Sequence, residues 1–157
     1  MSTGSALARP HVLIVSDDTD LSTFFAEGLV YGGFWTSTIA SGIQTLEVFR
    51  LRTFDLILID AGLRDLSAAE VIRRLRGQST RAARDATRTD IPIIVIAANN
   101  DEAALIDADS LAIDGIRVAP IELEDLVPDL HGVVAQWRML HPNREWADAI
   151  AQRPTSE

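Results

Sequence analysis

Five short apolar runs punctuate the chain: His11–Val15, Phe34–Ala40, Phe54–Asp60, Ile91–Ala97 and Gly115–Ala119. The first, third and fourth are continuously apolar (VLIV, LILI, PIIVIA), as strands buried on both faces of a parallel sheet should be. Between them, apolar residues recur at three- and four-residue spacing over Asp20–Tyr31, Gly42–Arg52, Leu66–Arg76 and Asp101–Ala112, which predicts four amphipathic helices. In the third, Leu66, Ala69, Val71, Ile72 and Leu75 make the inner face, while Arg73, Arg74 and Arg76 point largely outward. A fifth helix is predicted from about Glu124 to Leu140, with Pro128 in its first turn, where a missing N–H is harmless.

Strands alternating with helices imply right-handed crossovers and helices on both faces of the sheet. The expected fold is a flavodoxin-like, doubly wound α/β domain whose five strands lie parallel in the order 2-1-3-4-5. Such sheets place their ligand beyond the carboxyl ends of the strands at the switch point, here the first and the third. Strand one ends at Val15 and is followed by Ser16, Asp17 and Asp18; strand three ends at Asp60. Residues 1–10 read as a disordered tail and 11–141 as the domain itself. Its connection over 77–90 (GQSTRAARDATRTD) is long and polar, carries Arg81, Arg84 and Arg88, and has room for a short helical turn. Residues 142–157 read as an extension, a short helix over Asn143–Ile150 and then a frayed tail. Nothing after residue 141 is long enough for a helix-turn-helix output module, so a stand-alone domain is expected.

Composition removes several function classes. With 157 residues, 47% of them hydrophobic and 24% charged, the chain fits one globular domain. No cysteine means no disulfide and no thiolate metal site. No apolar run is long enough for a bilayer and the N-terminus lacks a secretory pattern, so a cytoplasmic location and no membrane partner are expected. A net charge of −9 disfavours nucleic acid. All 14 basic residues are arginine and there is no lysine. His11, His131 and His141 share no ligand spacing and are expected at the surface or as caps.

Carboxylates at the ends of two buried strands would meet in space. Two unit charges about 5 Å apart repel by roughly 3 kcal/mol at an effective dielectric near 20. Such a cluster serves to hold a hard divalent cation, to supply a nucleophile, or both. Asp17, Asp18 and Asp20 also suit the first turn of the following helix. Asp60, closing a LILI strand, has no capping role unless the next helix starts at once.

VLIVSDDTDLSTFF, FDLILIDAGLRDLSAAEVIRRLR, DIPIIVIAA and IRVAPIELEDL, spread over Val12 to Val134, together resemble the receiver domains of two-component response regulators. By that resemblance Asp60 is the phosphoacceptor. Asp17, Asp60 and a backbone carbonyl of Gly62 are the magnesium ligands, and Asp18 takes the third acidic-loop position. Five positions depart from the family pattern. Ser16 stands in place of an acid, and Ala97 in place of the Thr or Ser that binds a phosphoryl oxygen. Ala119, just before Pro120, replaces the lysine that pairs with the phosphoryl group. Ile116 occupies the switch-aromatic position, and Arg64 replaces a proline. Ser16, Asp18, Arg64, Ala97, Ala119 and Pro120 are expected to line the pocket, and Mg2+ to bind weakly.

The resemblance thus implies an atypical receiver, a pseudo-receiver of a phosphorelay, rather than an enzyme. It would signal by protein–protein contact independently of phosphorylation. The partner, a histidine kinase or a downstream effector, would dock on the fourth and fifth helices, and a homodimer is compatible with such a surface. The alternatives are a conventional Asp-phosphorylated response regulator and a magnesium-dependent phosphoryl-transfer enzyme.

Overall fold

Each continuously apolar run becomes a strand with both faces covered. The structure, a computed structural model, describes residues 9–78 and 88–148. The elements are β1 (His11–Val15), α1 (Thr19–Tyr31), β2 (Trp35–Ile39), α2 (Gly42–Val48), β3 (Leu56–Asp60), α3 (Ala68–Leu75), β4 (Ile93–Ala97), α4 (Asn100–Ala104), α5 (Ala108–Leu111), β5 (Gly115–Val118) and α6 (Leu123–Leu140). The strands form one parallel sheet in the order β2-β1-β3-β4-β5, the doubly wound arrangement read from the sequence.

Alternation along the strands sorts the core into two layers. Leu13, Val15, Ile57, Ile59, Ile93 and Val95 face α2 and α3, packing with Leu46, Val71, Ile72 and Leu75. Val12, Ile14, Leu56, Leu58, Ile94 and Ile96 face α1 and α6, packing with Phe25, Leu29, Leu126, Leu130 and Val134. Each fully buried side chain of this kind contributes about 1.5–3 kcal/mol. Register then fixes the polar ends. Val15 pairs with Ile59, Asp60 with Ile96, and Ala97 with Val118, so Ser16, Asp60, Ala97 and Ala119 finish their strands at neighbouring levels.

Helix starts follow local chemistry. Asp18, Ser41, Ser67 and Asn99 each accept the backbone N–H three residues on, as N-caps do. Asp65 reinforces the start of α2 from outside that helix. Burial works against its ionisation, but the N–H groups of Gly42 and Ile43 and the Ser41 hydroxyl hold its carboxyl down at about 2.

Three sequence expectations are corrected. The single helix over Asp101–Ala112 is two short ones, α4 and α5, because Asp107 caps a new start by accepting the Ser110 N–H at 3.3 Å. Pro128 lies in the second turn of α6, not the first; burial of Leu126, Leu130 and Val134 at 3% exposure or less outweighs the roughly 3 kcal/mol a helical proline costs. Of the histidines expected at the surface or as caps, His141 is the C-cap of α6, whereas His11 and His131 are held inside contacts. His11 is buried, His131 stacks on Phe34 with ring centroids 4.0 Å apart, and His141 stacks on Trp137 at the same distance.

Residues 1–8 of the tail, most of the domain's 77–90 connection with Arg81 and Arg84, and 149–157 of the extension lie outside the described residues. The described part of the extension is helical only at Ala147 and Asp148, so the helix start at Asn143 is also corrected. Asp55, 7% exposed, clamps this extension to the sheet. Its Oδ2 accepts the His11 N–H at 2.7 Å and its Oδ1 the Ala147 N–H at 3.0 Å. Arg138 stacks over Trp146, 3.6 Å from the ring centroid, and Arg144 grips Asp90 with two 3.1 Å hydrogen bonds.

His11 completes the clamp. Asp148 Oδ1 lies 3.2 Å from Nδ1 and the Ser37 hydroxyl 2.8 Å from Nε2, so the ring is held at both nitrogens. Burial, followed by the nearby Arg52, pushes the His11 pKa below its usual 6.5. Burial pushes Asp55 upward, against the two N–H groups it accepts.

Asp55→Ala would strand two buried N–H groups at roughly 1–3 kcal/mol each, so a loss of about 2–6 kcal/mol in urea melts is expected, with faster hydrogen exchange at Ala147. A second outcome concerns pH. The unfolded chain takes up a proton at His11 near pH 6.5 while the folded chain resists it, so stability falls as pH drops through 6.5. His11→Gln should flatten that slope in denaturant melts between about pH 7.5 and 5.5.

Candidate functional site

The ends of β1, β3 and β4 open into a cleft of about 390 Å³. Its walls are Asp17, Asp18, Asp60, Gly62, Ala97, Ala98, Glu102 and Ala119, with Leu21, Phe24, Ile96 and Ile121 supplying an apolar side.

Asp60 is held at both oxygens. The buried Ser16 hydroxyl donates to Oδ2 at 2.7 Å, and the Gly62 N–H donates to Oδ1 at 2.8 Å. A Cβ at 62 would stand 3.3 Å from Oδ1, a tight contact that Asp60 could relieve only by yielding a few tenths of an ångström. Ser16 also accepts the Asp18 N–H at 3.1 Å. The residue that replaces an acid therefore supplies a neutral donor to Asp60 instead of a repelling charge. The expectation that Ser16 lines the pocket is corrected: its hydroxyl is turned to Asp60, and the residue lines a neighbouring groove between α1 and β2.

Asp17 accepts from Arg64 twice, from the backbone N–H at 3.2 Å and from Nε at 3.3 Å. The Arg64 side chain is 82% exposed, so this pair contributes little, in the range of about 0–1 kcal/mol. Its charge goes to Asp17 at the rim. The expectation that Arg64 lines the pocket is corrected: anchored to Asp17 by main chain and side chain, it faces solvent. Pro120 is corrected too. Beyond the last strand it turns to a separate groove with Arg117, Asp125 and Asp129. Asp18 is both a cleft wall and the cap of α1. Ala97 and Ala119 present only methyl groups, and Ile116 packs partly buried against the α2–α3 side of the core, away from the cleft.

Glu102 is the residue that sequence reading missed. It accepts the Ala98 N–H at 2.9 Å through Oε1, and its Oε2 lies 3.6 Å from where a Gly62 Cβ would stand. The available signal was Asn99 followed three residues later by Glu102, the pattern of a capping box. That pattern foretells a helix start and says nothing of a cleft.

The donors are oxygen only, as a hard cation such as Mg2+ requires. Among the described residues no three carboxylate or imidazole groups converge to hold a metal. A cation here would rest on Asp17, Asp60, a backbone oxygen and water, which is compatible with Mg2+ because it keeps several of its waters.

The response regulator receiver domain model matches residues 12–131. The chain belongs to this family. Its receiver is 31% identical over 114 residues to the transcriptional regulatory protein AfsQ1 of Streptomyces coelicolor, covering 72% of this chain and 46% of that protein. The chain spans about half the length of the curated relatives it matches. Among solved structures, a sensor protein from Polaromonas sp. JS666 superposes with a TM-score of 0.68 at 29% identity, over 82% of this chain and 98% of that one. The receiver domain of sensor histidine kinase PA1611 from Pseudomonas aeruginosa PAO1, solved with a magnesium ion in its active site cleft, gives 0.67 at 23% identity over 82% and 99%. No described helix of this receiver is long and apolar enough to cross a membrane.

Ser16→Ala should destabilise the receiver by about 1–3 kcal/mol, because the Asp18 N–H and Asp60 Oδ2 lose a buried partner. Arg64→Ala should change stability by no more than about 1 kcal/mol in the same melts.

Proposed function

We propose that this receiver relays a state to a protein partner without needing phosphorylation of Asp60. The observation that carries this reading is the pair of methyl groups at Ala97 and Ala119, in a chain with no lysine. A receiver of the usual kind holds a transferred phosphoryl group with a hydroxyl and an ammonium at these places, and their movement toward it reports its arrival. A ligand shifts a conformational equilibrium only through interactions that differ between the two states. Methyl groups offer none, and Ile116 has no aromatic ring to swing inward.

The partner is a histidine kinase or a downstream effector in the cytoplasm, docking on the α4–α5 segment and on α6. Asp60 takes the phosphoacceptor position. It shares with Asp17 and Gly62 the role of holding Mg2+, weakly, because Ser16 brings no second acid. When bound, the cation would offset the negative charge of the cleft. The magnesium seen in the PA1611 receiver is a property of that protein and supports the reading only by kinship of fold.

One observation favours a second reading, a conventional phosphorylated regulator. Asp60 lies in the open cleft with its carboxylate oriented by Ser16 and Gly62, as a nucleophile would need.

The two readings separate by NMR. Amide shifts mapped with and without Mg2+ and beryllofluoride should change only around Asp17, Asp60 and their loops, or not at all. Large changes across residues 99–112 and 116–119 would establish a working switch and end the proposal.

A further inference from the structure

The donors around Asp60 are already engaged. The Gly62 N–H and the Ser16 hydroxyl point at Asp60 itself, the Ala61 N–H at the Ile96 carbonyl, and the Ala119 N–H at the Ala97 carbonyl. The Ala98 N–H, in the cleft wall just past β4, is taken by the Glu102 carboxylate at 2.9 Å. The point over Gly62 that lies 3.3 Å from Asp60 Oδ1 lies 3.6 Å from Glu102 Oε2, so the two carboxylates flank one small volume. An anion built onto Asp60 would grow into that volume. It would meet a like charge there, with no lysine in the chain to offset it.

We propose that Glu102 is a resident anion, standing where a phosphoryl group on Asp60 would have to sit and so excluding it. On this account Glu102 is a specificity-determining residue: the cleft keeps its own carboxylate and rejects an added one. It also ties α4 to the end of β4. That helix is five residues long with none buried. The helix is thereby presented in one anion-engaged position at all times. The inference rests on the phosphorylation-independent reading above and supplies its regulation.

The test compares wild type, Glu102→Ala, Glu102→Gln and the double variant Glu102→Ala/Asp60→Asn, each titrated with beryllofluoride in Mg2+. Adduct is followed by fluorine NMR, and the amides by nitrogen–proton spectra. Wild type should form no adduct at millimolar probe. Glu102→Ala should form one with an apparent affinity at least about tenfold higher, a gap of some 1.4 kcal/mol, and the double variant should lose it. In the probe-free spectra Glu102→Ala should move the Ala98 amide. Glu102→Gln, which keeps an acceptor and drops the charge, should leave that amide near its wild-type position while gaining part of the affinity.

Wild type binding the probe as tightly as Glu102→Ala overturns the inference. So does a Glu102→Ala protein that forms no adduct, which would leave Glu102 a helix cap only. The outcomes also separate this inference from the reading beneath it. A wild-type adduct without remote shifts removes Glu102 and spares the proposed function. An adduct on Glu102→Ala that shifts residues 116–119 strongly keeps Glu102 and removes the claim that the receiver lacks coupling.

Discussion

Burial of β1, β3 and β4 on both faces is the constraint from which the rest of the molecule follows. A parallel strand covered on both sides cannot carry a charged side chain along its length without a large desolvation penalty. Polar residues are therefore pushed to the strand ends. β3 shows this most simply, with Asp55 just before it, four apolar residues inside, and Asp60 closing it. The two carboxylates are separated by the length of one strand, roughly 17 Å, and belong to different devices. One lies in the cleft and the other clamps the C-terminal extension.

At the carboxyl ends, the difficulty is like charge without a built-in cation. Asp17, Asp18, Asp60 and Glu102 share one cleft, and the chain contains no lysine. The carboxylates are held by hydrogen-bond donors close by: a serine hydroxyl and an N–H for Asp60, an N–H for Glu102 and for Asp18, and Arg64 for Asp17. Neutral donors stabilise an ionised carboxylate without introducing a mobile charge. Such a cleft differs in kind from one poised around an ammonium group. It is settled before anything arrives.

At the amino ends the same constraint has the opposite outcome. Asp55 is enclosed and accepts main-chain N–H groups from β1 and from residue 147, which lies beyond the stretch matched by the receiver family. Around it, His11, Asp148, Arg138 and Trp146 join the extension to the sheet, and Arg144 with Asp90 joins it to the loop before β4. The receiver is thus reinforced at the end away from its cleft. α4, which borders the cleft, buries no residue and is capped by the Asn99 and Glu102 contacts at its start.

What could be read from the chain was what short-range periodicity controls. Continuous apolar runs specify strands covered twice, and three- and four-residue spacing specifies helices packed on one side, so the layers and the strand order were legible together. So was the meeting of Asp17 with Asp60, because topology carries two strand ends to one place. Boundaries set by competition between caps were not legible: Asp107 divides a helix whose apolar spacing runs on through it. Nor were contacts whose partners lie far apart in the chain. Asp55 looked like a break in an apolar run, yet it binds Ala147, 92 residues away, and His11 looked like a surface residue until Asp148 and Ser37 closed over it. Glu102 lies between these cases. Its capping pattern is local, but only the packed sheet turns that cap toward Gly62 and Asp60, because a side chain's direction in space depends on where its helix is docked.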